Sequence, residues 1–284
     1  MKIILKCPDE ASAVPALSRM RPLVLAPFLG QTVLAHALSA LATDGIKHVL
    51  ISAAAGAEKI LKDVGRGEAW GMRVEVCGGG KTLDGFPTNN FLTLDRLPQL
   101  PGKSLWKSYR SWQAAQLALL SRFAVLRGGM REIAPGVFAG LRTQISSASQ
   151  LSGPCWIGDG VFIGGQTRVG PNTIIEDGSY IDAGAEVSDS IVGRQTYIGA
   201  FTELRSSFAA ENQLLHLDSG SFTTISDRLL MSRVRPRPQI LKSWRERFQP
   251  RRAAILRPEQ SSWPKNFSGQ KPPLKALLGN EAAT

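Results

Sequence analysis

The sequence predicts a small α/β layer, then a parallel β-helix, then a basic extension. Three observations carry this. Strand-like and helix-like segments alternate over residues 1–77, and aliphatic residues recur at every sixth position from Ile133 onward. Residues 228–284 hold a net charge of +10, against +11 for the whole chain of 284 residues.

In the first part, Lys2-Ile3-Ile4-Leu5 is a short apolar run. Gln31 to Asp44 then places Val33, Leu34, Ala37, Leu38 and Leu41 on one helical face, and Gly45 supplies the stop. Ile46 to Ile51 predicts a buried strand, Ala57 to Val64 a second helix, and Met72 to Val76 alternates as a third strand. Strands interleaved with helices pair in parallel through crossovers, so this is a layer of two βα units and a closing strand. From Cys77 to Gly102 the glycines, prolines and Thr88-Asn89-Asn90 predict loop, interrupted by a strand at Phe91 to Leu94. Residues 103–127 predict a helix whose Leu105, Trp106, Tyr109, Trp112, Leu117 and Leu120 cover a neighbouring surface.

The hexad series runs through Ile133, Ala139, Ile145, Leu151, Ile157, Ile163, Val169, Ile175, Ile181 and Val187. After one five-residue step it resumes at Val192, Ile198 and Leu204. Two positions before each aliphatic, from Ile145 on, stands a small or slim residue such as Cys155, Thr167, Ser179 or Ser190. Neither a helix nor a hairpin sheet has this period. A coil with three short flat faces has it, each six-residue unit making one strand and one corner, with the aliphatic pointing inward. The glycines after the aliphatics, at 158, 164, 170, 193 and 199, are expected to permit the turns. The segment from Val187 is repeated in spacing from Leu204 through LHLDSG, so the coils are expected to extend over His216.

Composition excludes several classes. Cys7, Cys77 and Cys155 are odd in number and widely spaced, which supports neither a disulfide framework nor a zinc cluster. The first residues, MKIILKCPDE, lack the apolar run of a signal peptide, and Pro22 to Ala42 is interrupted by Pro27, Gly30, Gln31 and His36. The expected location is the cytoplasm, with peripheral membrane contact through the tail. Gly78-Gly79-Gly80-Lys81-Thr82 mimics the end of a phosphate-binding loop, but the first required glycine falls on Glu75 within a strand.

The hexad repeat resembles the hexapeptide repeat of left-handed parallel β-helices, and the handedness comes from that resemblance. Such helices occur in acyltransferases and as C-terminal domains of sugar-nucleotide pyrophosphorylases. The stretch Arg21-Pro22-Leu23-Val24-Leu25-Ala26-Pro27-Phe28-Leu29-Gly30-Gln31-Thr32-Val33-Leu34, followed by AHALSALATDGIKHVLISAA and GRGEAWGMRVEV, resembles the start of sugar-1-phosphate nucleotidyltransferases. That likeness implies a truncated, Rossmann-like nucleotidyltransferase domain and a role in nucleotide-sugar or surface-polysaccharide synthesis. The family's lysine falls at Leu23 without a gap, or at Arg21 across a two-residue insertion. Phe91 to Asp95 resembles the family strand that ends in a metal-binding aspartate, which implies Asp95 as a ligand of Mg²⁺ where activity is retained. The sequence also departs from the family. Active members follow the first strand with GGxGTRL, whose backbone amides wrap phosphates. Here Cys7-Pro8-Asp9-Glu10-Ala11 has no glycine and two carboxylates, so catalysis is expected to be impaired or lost, leaving a binding or assembly role.

The acyltransferase alternative needs a histidine base. Of His36, His48 and His216, the first two lie on the first helix and a strand, which leaves His216. The expected domains are 1–100 (nucleotidyltransferase-like), 101–130 (helical connector), 131–227 (β-helix) and 228–284 (basic tail). Expected partners are a sugar phosphate or nucleotide sugar and further copies of the chain through the β-helix. Residues 233–257, where Ile240, Leu241, Trp244 and Phe248 oppose a basic side, fit an anionic membrane or an acidic partner, and make the alternative role a membrane-associated scaffold. No recognised nucleic-acid module accompanies the charge.

Overall fold

The computed structural model describes residues 2–7, 14–53, 55–78, 91–93 and 105–234. All of these fall in one compact unit, Met1–Arg235, and residues 235–284 lie outside the described residues.

The N-terminal layer begins with β1 (Lys2–Lys6), the short helix α1 (Pro15–Met20) and a 3-10 turn at Leu23–Leu25. A small hairpin of β2 (Pro27–Phe28) and β3 (Gln31–Thr32) then leads into α2 (Val33–Thr43). β4 (His48–Ala53), α3 (Ala57–Val64), β5 (Arg73–Gly78) and β6 (Phe91–Thr93) complete the layer. The sheet order is β5-β4-β1-β6 and every neighbouring pair is parallel, as the alternation of elements requires. Thr32 Oγ1 caps α2 by accepting the Ala35 N–H at 3.1 Å, and the predicted apolar face of α2 is fully buried.

Helix α4 (Tyr109–Leu126) starts at a reciprocal Ser108–Ser111 capping box and carries Tyr109, Trp112 and Leu120 into the core; Leu105 is buried just before it. Trp112 meets Phe208 edge-on, with ring centroids 5.1 Å apart.

After β7 (Arg131–Ala134) the chain winds into coils. The first coil is β8 (Val137–Ala139), β9 (Gln144–Ile145) and β10 (Gln150–Leu151). The second is β11 (Cys155–Ile157), β12 (Phe162–Ile163) and β13 (Arg168–Val169). The third is β14 (Thr173–Ile175), β15 (Tyr180–Ile181) and β16 (Glu186–Ser188). The fourth is β17 (Ile191–Val192), β18 (Thr196–Ile198) and β19 (Glu203–Arg205), and β20 (Ser207–Ala210) opens a fifth. Each strand pairs in parallel with its counterpart one coil on. These parallel sheets fit a left-handed β-helix. Ile157, Ile163, Val169, Ile175, Ile181, Val187, Val192 and Ile198 form the buried internal column. The small inward residues have their own partners: the Thr167, Ser179 and Ser190 hydroxyls donate to the carbonyls of Gly164, Gly193 and Ser188 at 2.7–2.8 Å. Cys155 is one of these inward residues, and burial pushes its thiol up to about 12, so it is chemically inert.

The three outer faces differ in chemistry. Trp156, Ile174, Ile191 and Phe208 line one face and merge with α4 and the α/β layer into a single apolar cluster. Phe162 stacks on Tyr180 at 4.3 Å on the second face, with Tyr197 beyond. Arg168–Glu186 and Glu203–Arg205 ion pairs line the third.

Three sequence expectations are corrected. Ile133 does not start the inward column: it is 39% exposed and sits on β7, which runs antiparallel to β8. The coils do not continue through LHLDSG, because β21 (Gln213–His216) turns back antiparallel to β20, followed by β22 (Phe222–Thr224). β23 (Met231–Arg233) then closes antiparallel on β18. The glycines after the aliphatics are mostly not turn residues. Gly158 and Gly164 have ordinary backbone, while positive φ falls later in each unit, at Gly160, Gln166, Asn172, Gly178, Gly184 and Gln195. Gly158 is needed for space, since a Cβ there would lie 2.4 Å from Asp177 Oδ1 and 2.7 Å from its backbone nitrogen.

This distinction is testable by denaturant unfolding. Gly158→Ala should cost about 1–3 kcal/mol through overpacking. Gly160→Asn should cost less, because nothing lies within 4 Å of a Cβ there and asparagine tolerates the left-handed backbone.

Candidate functional site

The α/β layer meets the β-helix through the two-residue turn Leu29-Gly30. Its φ values of +49° and +86° are the pair that a type I′ hairpin demands. A Cβ on Gly30 would stand 1.4 Å from Arg127 Nη1, so only glycine allows the guanidinium to lie against the turn. The Gly30 N–H donates to Glu176 Oε2 at 2.8 Å, Arg194 Nη2 donates to the Gly30 carbonyl at 2.6 Å, and the Leu29 N–H donates to Gln116 Oε1 at 3.3 Å.

A charge ladder supports this clamp along one corner of the β-helix. Arg127 Nη2 donates to Asp159 Oδ2 at 2.7 Å and Asp177 Oδ1 at 2.8 Å, and Arg194 reaches Asp177 Oδ2 at 2.8 Å. Burial alone would lower the Arg127 pKa, but its bonds to Asp159 and Asp177 outweigh this and raise it. Glu176 is fully buried, and its Oε1 has no hydrogen-bond partner among the described residues. Burial, with a smaller push from Asp177, raises its carboxyl to about 7 against the pull of Arg194, Gly30 and Arg127. These residues were not singled out from the sequence, yet a signal existed: Glu176 follows an aliphatic in the slot that Gly158 and Gly193 hold in the coils on either side.

Arg21 C-caps α1, and Pro22 packs against Gly56 just beyond the carboxyl end of β4. The Arg21 side chain has no hydrogen bond or ion pair among the described residues, and its Nε is buried. Burial lowers its pKa; Glu211, Glu176 and Asp63 pull it back up, while Arg194 opposes them. His216 lies in the terminal hairpin, where its Nδ1 accepts the Ser219 N–H at 3.4 Å and lies 3.2 Å from the Ser219 hydroxyl. No hydrogen bond joins it to Arg21. Asp95, Asp9 and Glu10, the Lys81-Thr82 end of the glycine run and the tail beyond Val234 lie outside the described residues.

A cavity of about 400 Å³ opens beside the clamp. Leu29, His36, Ser39, Thr43, Phe123 and Arg127 are among its lining residues. His36 Nε2 donates to the Phe28 carbonyl at 2.7 Å, and its ring meets Phe123 at 4.5 Å.

Residues 154–189 match the family described as bacterial transferase hexapeptide (six repeats). No curated protein matches the chain. The chain thus carries a hexapeptide-transferase repeat, in the coils that bear Asp159, Glu176 and Asp177. Among the described residues no helix is long and apolar enough to cross a membrane.

Glu176 makes stability depend on pH with a defined sign. Its folded pKa of about 7 exceeds its ordinary 4.5, so the unfolded chain releases the proton first. The stability this group contributes is present below about 4.5 and falls by on the order of 3 kcal/mol as pH rises to about 7. Glu176→Gln keeps an acceptor for Gly30, so it should flatten the stability profile over that window and be the more stable form above it, as read from urea midpoints across pH.

Proposed function

We propose that the chain is a sugar-1-phosphate nucleotidyltransferase-like protein of nucleotide-sugar or surface-polysaccharide synthesis, which binds its ligand and assembles rather than turning it over. The observation that carries this reading is Arg21: its guanidinium has no hydrogen bond or ion pair among the described residues, and the next residue, Pro22, packs against Gly56 just beyond the carboxyl end of β4. The order β5-β4-β1-β6 places the third, second, first and fourth strands side by side, an order in common with the first four strands of doubly wound nucleotide-binding sheets. Such sheets take ligands beyond the carboxyl ends of their strands. Arg21 would hold a phosphate oxygen of a nucleotide sugar. Loss of turnover follows from Pro8 to Ala11, which offers no glycine to wrap a triphosphate. Among the described residues no cluster of three or more His, Cys, Asp or Glu could hold a metal ion, and Asp95 lies outside them, so no step is routed through Mg²⁺.

Incubation with NTP, Mg²⁺ and hexose-1-phosphates should release no pyrophosphate, while calorimetry should show saturable binding of a UDP- or GDP-sugar. Arg21→Ala should weaken that binding about tenfold or more, the loss of one charge-assisted contact. Turnover at the rates of active pyrophosphorylases, or binding unchanged in Arg21→Ala, overturns the reading. The match to transferase hexapeptides favours an acyltransferase as the second reading. It requires acyl-CoA-dependent activity that His216→Ala abolishes.

A further inference from the structure

We propose that the cavity between α2 and α4 is a binding site for a neutral, polyhydroxylated small molecule of about monosaccharide size. This goes beyond the nucleotide reading and stands without it, since none of the cavity residues belongs to the Arg21 site.

The inventory of donors and acceptors carries the inference. His36 is buried, and because a carbonyl can only accept, its Nε2 must carry the proton it shares with Phe28. Burial, the largest cause, lowers its pKa, which keeps the ring neutral and leaves Nδ1 as a lone pair with no partner among the described residues. The Ser39 hydroxyl donates to the Ala35 carbonyl at 2.9 Å while accepting the Trp70 Nε1–H at 3.0 Å. The Thr43 hydroxyl donates to the Ser39 carbonyl at 3.0 Å. Both hydroxyl hydrogens are used, so the α2 wall presents acceptors only, at positions 36, 39 and 43 along one side of the helix. The rest of the lining is apolar at Leu29, Phe123 and Leu126, with Gln31 as a side-chain amide donor and the Arg127 guanidinium beside it.

This pattern discriminates between ligand classes. An anion would meet a row of lone pairs, and the charge of Arg127, the cationic group in the wall, is already balanced by Asp159 and Asp177 on its Nη2, while its Nη1 is buried. A cation would meet Arg127 itself, while the carboxylates that balance it are not in the lining. A sugar satisfies all the walls: its hydroxyls donate to the α2 row and accept from Gln31, and its C–H face covers Phe123. The volume of about 400 Å³ is in the range of small-molecule sites.

The test titrates the full chain with D-glucose, D-mannose and N-acetyl-D-glucosamine near neutral pH, by saturation-transfer NMR and calorimetry. Saturable binding of at least one probe is expected, weakened up to about tenfold by Thr43→Val, which removes an acceptor at an exposed position without changing shape. His36→Phe should weaken it likewise, with retained folding checked by thermal melting, and Arg21→Ala should leave it unchanged. The proposal is overturned if no probe binds saturably, if Thr43→Val leaves affinity unaltered, or if Arg21→Ala abolishes the sugar signal.

Discussion

The hydrogen bond from Gly30 to Glu176 is the constraint around which the junction is built. It needs a side-chain acceptor in a slot that glycine holds in the neighbouring coils, and a turn with no side chain at Gly30. That same missing Cβ lets Arg127 lie against the turn while bridging Asp159 and Asp177. Asp177 in turn fits only because Gly158 leaves room for it one coil earlier. A side chain at Gly30 or Gly158 would therefore disturb the α/β layer, the end of α4 and the coil stack together.

The β-helix consequently has two apolar cores rather than one. Its internal column is the expected result of inward aliphatics, but the outer face of Trp156, Ile174, Ile191 and Phe208 is buried as deeply against Trp112 and the α/β layer. The two remaining faces carry aromatic and ionic ladders. Which face receives the N-terminal layer thus follows from the outward residue of each short strand, a choice independent of the inward period.

That independence explains what the sequence disclosed and what it hid. A six-residue period is a long-range pattern, and the parallel α/β units follow from local alternation, so both were legible. The end of the coils was not: Gln213 to His216 keeps the spacing of a coil, yet Gln213 to His216 pairs antiparallel with β20, because no further coil exists beyond to pair with. At the other end Ile133 matches the period but lies in an antiparallel cap. The role of the glycines is hidden for another reason: period shows where glycine stands and not whether backbone or neighbour requires it. Glu176 and His36 were passed over for a related reason. Each is one polar residue within an apolar pattern, and only the folded contact of Glu176 with Gly30, or of His36 with the Phe28 carbonyl, distinguishes it from a tolerated exception.

The buried carboxylate also answers a difficulty intrinsic to repeats. A face of stacked apolar residues looks similar from one coil to the next, so an apolar layer packed on it could shift by one strand spacing, roughly 4.8 Å, at little cost. Burying an ionisable group is unfavourable in itself, and its best-attested use is to select one register among near-equivalents. Here the slots equivalent to Glu176 are Gly140, Gly158, Gly193 and Ala210, none of which offers a side-chain acceptor. Gly30 can therefore find a carboxylate at one coil only, and a slip by one coil in either direction would leave both its N–H and the Glu176 side chain buried without a partner. Since Glu176 and Glu211 act electrostatically on Arg21, and Leu29 of the same turn lines the cavity, the register held by Glu176 sets the geometry of both candidate binding regions.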